Sequence, residues 1–259
     1  MIVSLEHVSW KREQEWILKD VSWHIQKGEH CCLVGLNGSG KTTLLQMING
    51  YIWPTEGKIR VLDFTYGRVK LADVRKRIGW VSTSLQQRFH GDELTEEVVL
   101  SGVFSTIGLH DEVNETDLQR AAELLSTLNC ESLIGRYFAT LSQGQQQKIL
   151  IARALMAMPE ILILDEPCTG LDVLAREQVL TMIEAIAKQE NAPTLIYVTH
   201  HIEEILPCFT NTLLLKKGEV YASGKTEECL TTDRLTDFFE VPIEVVQQGD
   251  RKWLMLQNK

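Results

Sequence analysis

Residues 35–42 read GLNGSGKT, which is G-x-x-x-x-G-K-T. Glycines at this spacing let consecutive backbone N–H groups turn inward around an anion. A helix starting near Lys41 would add the positive end of its dipole. The Lys41 ammonium can reach β- and γ-phosphates, and the Thr42 hydroxyl can ligate Mg²⁺. Gly35, Asn37, Gly38, Ser39, Gly40, Lys41, Thr42 and Thr43 are therefore the candidate phosphate site. A second group follows in ILILDEP, where Asp165 and Glu166 end an apolar run. Asp165 suits Mg²⁺ through water. Glu166 would polarise an attacking water.

The elements that must hold these groups can be read from the pattern. HCCLVG before the glycine loop is a continuous apolar run, as in a buried strand, and TTLLQMING after it has helical character. Strand, loop and helix are the context in which this motif binds phosphate. ILIL and TLIYVTH read as further buried strands. Open α/β sheets bind ligands at the C-terminal ends of such strands. IVSLEHV and ILKDVSWHI alternate and are expected to pair around a charged turn at KREQE. Short strands are expected at residues 58–62 and 79–81. LTEEVVLSGVF, DLQRAAELLSTLN and SQGQQQKILIARALMAM have helical spacing, which predicts a helical insertion over residues 84–156. DVLAREQVLTMIEAIAKQ predicts a long amphipathic helix, and LLLKKGEVYASG a hairpin turning at Lys217 and Gly218. The C-terminal residues read as short helical pieces and a terminal hairpin.

The stretch LSQGQQQK has its own chemistry. Ser142 and Gln145 stand in the S-x-x-Q spacing of a capping box, so a helix should begin there. Such an end attracts anions, and Gly144 would permit close backbone approach.

The chain has 259 residues, 44% of them hydrophobic, and a net charge of −9. That charge argues against a nucleic-acid partner, which usually meets a basic surface. Six cysteines without C-x-x-C spacing read as reduced, mostly buried thiols. No leader is expected at MIVSLEHVSW. No apolar stretch approaches the roughly 20 residues needed to span a bilayer, so any membrane role would run through another chain.

GLNGSGKTT, LSQGQQQK, LILDEP, TGLD and VTHH occur in this order over roughly residues 2–226. In that order they resemble the ATP-binding cassette (ABC) ATPases. The resemblance implies an α/β P-loop NTPase core with a mostly parallel sheet, an N-terminal antiparallel β-subdomain and an inserted helical subdomain. Core residues would be 1–83 and 157–226, the helical subdomain 84–156 and the tail 227–259. It also implies ATP and Mg²⁺ as cofactors. Two chains would form a head-to-tail homodimer in which Ser142, Gly144 and Gln145 face the γ-phosphate held by the partner. Asp172 matches the loop that contacts the other chain, and His200 the histidine that touches the γ-phosphate. His201 stands where the family often has Asp. Catalysis would then fall to Glu166, His200 and Lys41.

Three departures stand out. Gln143 replaces the first Gly of LSGGQ. The family's Gln after its IGYVP-like strand is matched here by Thr83, so the role near Mg²⁺ falls to Gln86, with Thr83 and Gln87 as alternatives. The aromatic residue that stacks on adenine is matched by Arg12, flanked by Trp10 and Trp16; Trp16 is assigned, with Trp10 and Arg12 as alternatives. The stretches NGYIWPTEGKI and IGWVSTSLQ further resemble a bacterial subgroup labelled molybdenum-transport-like. The family implies an ATPase subunit driving separate transmembrane permease subunits, cytoplasmic and peripheral on the inner face of the membrane. A soluble ABC ATPase in cofactor assembly or repair is the alternative.

Overall fold

Four apolar residues with no room for water form β3 (Cys31–Val34), and every one is buried. In the computed structural model, residues 1–67, 70–82, 89, 92–104, 106–109 and 112–257 are described. The chain divides into two units, residues 1–75 with 194–259, and residues 76–193.

In the first unit, β3 pairs in parallel with β8 (Thr194–Thr199) on one side and β9 (Asn211–Lys216) on the other. β10 (Glu219–Lys225) returns antiparallel to β9 around the expected turn at Lys217 and Gly218. β8 is buried throughout, which accounts for its unbroken apolar run. α1 (Lys41–Ile48) follows β3, and Gly50, with φ of 70°, lies just past its end. The N-terminal pair is β1 (Val3–Arg12) and β2 (Glu15–Ile25), antiparallel as the alternation predicts. β1 also pairs with β4 (Glu56–Val61), which meets the two-residue β5 (Phe64–Thr65). α2 (Leu71–Arg75) closes this stretch.

The second unit holds β6 (Ile78–Ser82) parallel to β7 (Ile161–Asp165). Between them in sequence lie α3 (Thr95–Phe104), α4 (Glu115–Thr127) and α5 (Gln143–Met156), the expected helical run. Asn114 caps α4 by accepting from Asp117 N–H at 2.9 Å. α6 (Val173–Ala187) is the long amphipathic helix. Arg153 sits inside this unit, donating from Nε to Ser101 Oγ at 3.0 Å and from NH2 to the Thr106 carbonyl at 2.6 Å, with its guanidinium over the Phe89 ring. Its backbone crosses α3 where Gly102 leaves no space for a side chain.

The C-terminal residues, in the first unit, form α7 (Thr226–Cys229), α8 (Thr232–Phe239) and the hairpin β11 (Ile243–Gln248) with β12 (Arg251–Leu256). Among the described residues no helix is long and apolar enough to cross a membrane. All six cysteines are free thiols, five of them buried and Cys208 half-buried.

Candidate active site

The phosphate loop runs from Gly35 into α1, and its backbone is set by glycine. Gly38 has φ of 78° and Gly40 φ of 103°, values that cost a side-chain-bearing residue about 1 kcal/mol or more. Gly40 is the N-cap of α1 and offers no side-chain acceptor. No acidic residue stands in the first turn. The helix therefore presents its N–H groups and dipole to an outside anion. Ser39 adds a buried hydroxyl without a hydrogen-bond partner, which a phosphate oxygen would satisfy. Lys41 is buried and donates from Nζ to the carbonyls of Gly35 at 2.7 Å and Leu36 at 3.3 Å. Thr42 is exposed on the first turn and Thr43 half-buried.

A second layer of backbone supports this loop, and sequence reasoning did not find it. Gly218 N–H donates to the Ser39 carbonyl at 3.0 Å, and the Gly218 carbonyl accepts from Lys19 N–H at 2.9 Å. The β9–β10 turn thus joins the phosphate loop to β2. Lys216 is anchored beside it, with Nζ donating to the Asp237 carbonyl at 2.9 Å and paired with Glu240 at 2.8 Å. Lys216 and Lys217 together hold the Glu240 carboxyl below its ordinary range. A cavity of about 180 Å³ lies here, lined by Asn37, Ser39, Lys217 and Phe239 among others.

The parallel register sets Val34 opposite Thr199. Gly35 and His200 therefore leave adjacent strands at the same sheet edge. The rings of His200 and His201 lie in tilted contact, with centroids 4.2 Å apart and planes at 39°, and His201 Nδ1 lies 3.3 Å from Glu203.

Trp16 is at the β1–β2 end of the same unit, 36% exposed, with Lys11 Nζ 5.5 Å from its ring centroid. Its face already receives one cation, and the ring is open enough to receive a base. Trp10 is half-buried and Arg12 faces Glu15 in register.

The acidic residues lie in the second unit. Asp165 ends β7 opposite Ser82. Glu166 follows with φ of 51°, a strained value for a residue with a side chain. Its carbonyl accepts from Thr169 N–H at 3.2 Å, and its Oε2 from the Thr169 hydroxyl at 3.4 Å. Gln86, with Thr83 and Gln87, lies outside the described residues.

The Ser142 turn forms the expected capping box. Ser142 Oγ accepts from Gln145 N–H at 3.3 Å, and Gln145 Oε1 from Ser142 N–H at 3.0 Å. Asp172 caps α6, accepting from Ala175 N–H at 2.8 Å. The two helix ends meet: a Cβ on Gly144 would lie 2.8 Å from Ala175 Cβ. Gln143, the residue that departs from LSGGQ, lies with its side-chain amide over Gly170. The structure thus gathers Ser142, Gly144, Gln145 and Asp172 in one unit with Asp165 and Glu166, and the phosphate loop, His200 and Trp16 in the other.

Residues 18–169 match the ABC transporter family. The chain is an ABC ATPase. It is 48% identical over 255 residues to the uncharacterized ABC transporter ATP-binding protein YlmA of Bacillus subtilis (strain 168), covering 98% of this chain and 97% of that one. It is 32% identical over 228 residues to the energy-coupling factor transporter ATP-binding protein EcfA1 of Listeria monocytogenes serotype 4b (strain F2365), covering 87% and 79%. Among solved structures it is similar to the dimeric post-hydrolysis state of the ATP-binding cassette MJ0796 bound to ADP and Pi, at a TM-score of 0.72 and 30% identity, covering 86% and 98%. ABC ATPases bind ATP and hydrolyse it, and this chain has the α/β cassette fold expected of one.

Proposed function

We propose that this ABC ATPase works as a homodimer around two ATP–Mg²⁺ and drives separate transmembrane permease subunits from the cytoplasmic face of the membrane. The observation that carries the reading is the uncapped N-terminus of α1 behind Gly38 and Gly40, with the orphaned Ser39 hydroxyl and with His200 one strand away. Lys41 would exchange the carbonyls of Gly35 and Leu36 for phosphate oxygens. Thr42 and Asp165, with Gln86, have the oxygen donors that suit Mg²⁺, which when bound would neutralise charge on the β- and γ-phosphates. Glu166 would orient the attacking water and His200 would meet the γ-phosphate. Trp16 would stack on adenine.

The partner chain would add Ser142, Gly144 and Gln145 over the γ-phosphate, with Asp172 crossing between the chains. Val173 and Leu174 directly after Asp172 are 64% and 76% exposed. Two apolar side chains open to solvent beside that loop fit a surface that another chain covers. Preorganised donors closing on the transferring phosphoryl group supply the electrostatic stabilisation its charge needs. Loss of phosphate would remove the anion that bridges the halves and let them open. Residues 84–156 form the helical subdomain in this reading, residues 1–83 and 157–226 the core, and 227–259 a packed tail.

The test is Glu166→Gln purified with ATP from solubilised membranes and from cytosol. It should retain ATP, turn over slowly, elute as a dimer and carry a multi-spanning protein from the membrane fraction. A variant that stays monomeric with ATP and turns over normally overturns the mechanism. A dimer found only in cytosol overturns the permease partnership and leaves the ATPase chemistry standing.

A further inference from the structure

Glu204 is 3% exposed and lies four residues past His200, in the short turn that follows β8. A buried carboxylate is costly unless its oxygens are hydrogen-bonded. Here Oε2 accepts from two hydroxyls, Tyr197 at 3.0 Å and Thr199 at 2.7 Å. Both hydroxyls donate, so their protons point toward it. The Thr199 oxygen is then committed as a donor to Glu204 and keeps its lone pairs for another N–H. It accepts from His201 N–H at 2.9 Å. Glu204 N–H in turn donates to the His201 carbonyl at 3.3 Å. The residues on both sides of His200 are thus fixed through one carboxylate, and the His201 ring, in tilted contact with His200, inherits that placement. Tyr197 is itself held, buried against Phe209 with ring centroids 5.2 Å apart.

We propose that Glu204 is a positioning residue for ATP hydrolysis: by orienting the Thr199 hydroxyl it fixes the His201 backbone and so aims His200. The proposal rests on the reading that His200 meets the γ-phosphate. Buried and bonded to the Thr199 hydroxyl, Glu204 would act through Thr199. Its loss should therefore change the hydrolytic step more than the binding of ATP.

The experiment uses the full chain and four single variants, Glu204→Ala, Glu204→Gln, Thr199→Val and His200→Ala, with Glu204→Ala also placed in the His200→Ala background. For each, kcat and KM for ATP, affinity for a fluorescent ATP analogue, and Tm are measured. Misplacing a reacting group by about 1 Å costs up to about a hundredfold. Glu204→Ala is expected to lower kcat about ten- to a hundredfold, with analogue affinity within about twofold of the parent. Glu204→Gln should recover most of the rate, because its amide oxygen can accept from both hydroxyls. Thr199→Val keeps the side-chain shape but breaks the relay, and should reproduce the kcat loss even where Glu204→Ala fails to fold. In the His200→Ala background, Glu204→Ala should add no further loss. Parental kcat in folded Glu204→Ala and in Thr199→Val, with His200→Ala slow, overturns the proposal and leaves the role of His200 intact. Parental kcat in His200→Ala overturns both. A kcat loss in Glu204→Ala that persists at full size without His200 also overturns the positioning route.

Discussion

Gly144→Ala separates two uses of the glycine at the Ser142 turn. The added Cβ would lie 2.8 Å from Ala175 Cβ. Two methyl carbons need roughly 3.5–4 Å, so α5 or α6 must shift by about 1 Å. Overpacking of this kind costs about 1–3 kcal/mol. Against it stands the gain of Ala over Gly in a helix, at most about 1 kcal/mol and less in a first turn. The clash wins, and the net loss is about 0.5–2 kcal/mol. For a chain of this size that lowers Tm by roughly 1–8 °C. Ala175→Gly removes the opposing methyl. The double variant should therefore recover stability, with a coupling of about 1–3 kcal/mol in the cycle. Thermal unfolding of the four proteins measures it. An unchanged Tm for Gly144→Ala, or strict additivity with Ala175→Gly, refutes the steric argument. ATPase activity of the restabilised double variant then isolates the second use. Activity that stays low assigns Gly144 to nucleotide approach across the dimer, and full recovery assigns it to packing alone.

Two further perturbations follow from particular groups. Asp172→Ala should lose about 1 kcal/mol because the Ala175 N–H loses its cap, whereas Asp172→Asn keeps the cap; Tm should separate these two, and ATPase activity that falls in both marks the charge as acting across the dimer. Burial pushes the Cys31 thiol up to about 12. The folded state thus holds that proton longer than the unfolded one, and its stabilising contribution is complete below about pH 9 and gone by about pH 12. Between them stability should fall by up to about 1.4 kcal/mol per pH unit, and denaturant melts of Cys31→Ala should show a shallower decline.

The strands at the centre of each unit were legible because burial on both faces demands unbroken apolar runs: CCLV, ILIL and TLIYV each became one. The cap at Ser142 was legible for a different reason, since a helix start leaves donors that a short polar side chain must meet, whereas the caps at Asn114 and Asp172 emerged only with the structure. Elements shorter than a pattern's period were not. β5 has two residues and α2 five, too few for alternation or helical spacing to register. The tertiary uses of polar residues were also hidden. Glu204 reads in sequence as one of two adjacent acids, and nothing local tells that Glu203 faces His201 while Glu204 turns inward to Tyr197 and Thr199.

The phosphate motif itself contains such hidden information. Its first glycine is read from sequence as part of an anion cradle, yet Gly35 has no left-handed φ, and a Cβ there would lie 2.4 Å from Ser39 Oγ and 2.6 Å from the Leu215 carbonyl. The first contact is within the loop itself, and the second belongs to the neighbouring strand β9. The same strand leads into the turn whose Gly218 N–H holds Ser39. Gly35 is thus set by packing against Ser39 and β9, Gly38 by backbone conformation with open space around it, and Gly40 by both packing and conformation, since its Cβ would also lie 2.7 Å from Leu18. One motif, three causes: a substitution at Gly35 would displace the Ser39 hydroxyl and disturb β9 together, and so would not isolate phosphate binding. Lys41 is the cleaner probe of the proposed chemistry, because there its ammonium, not its backbone, would meet the anion.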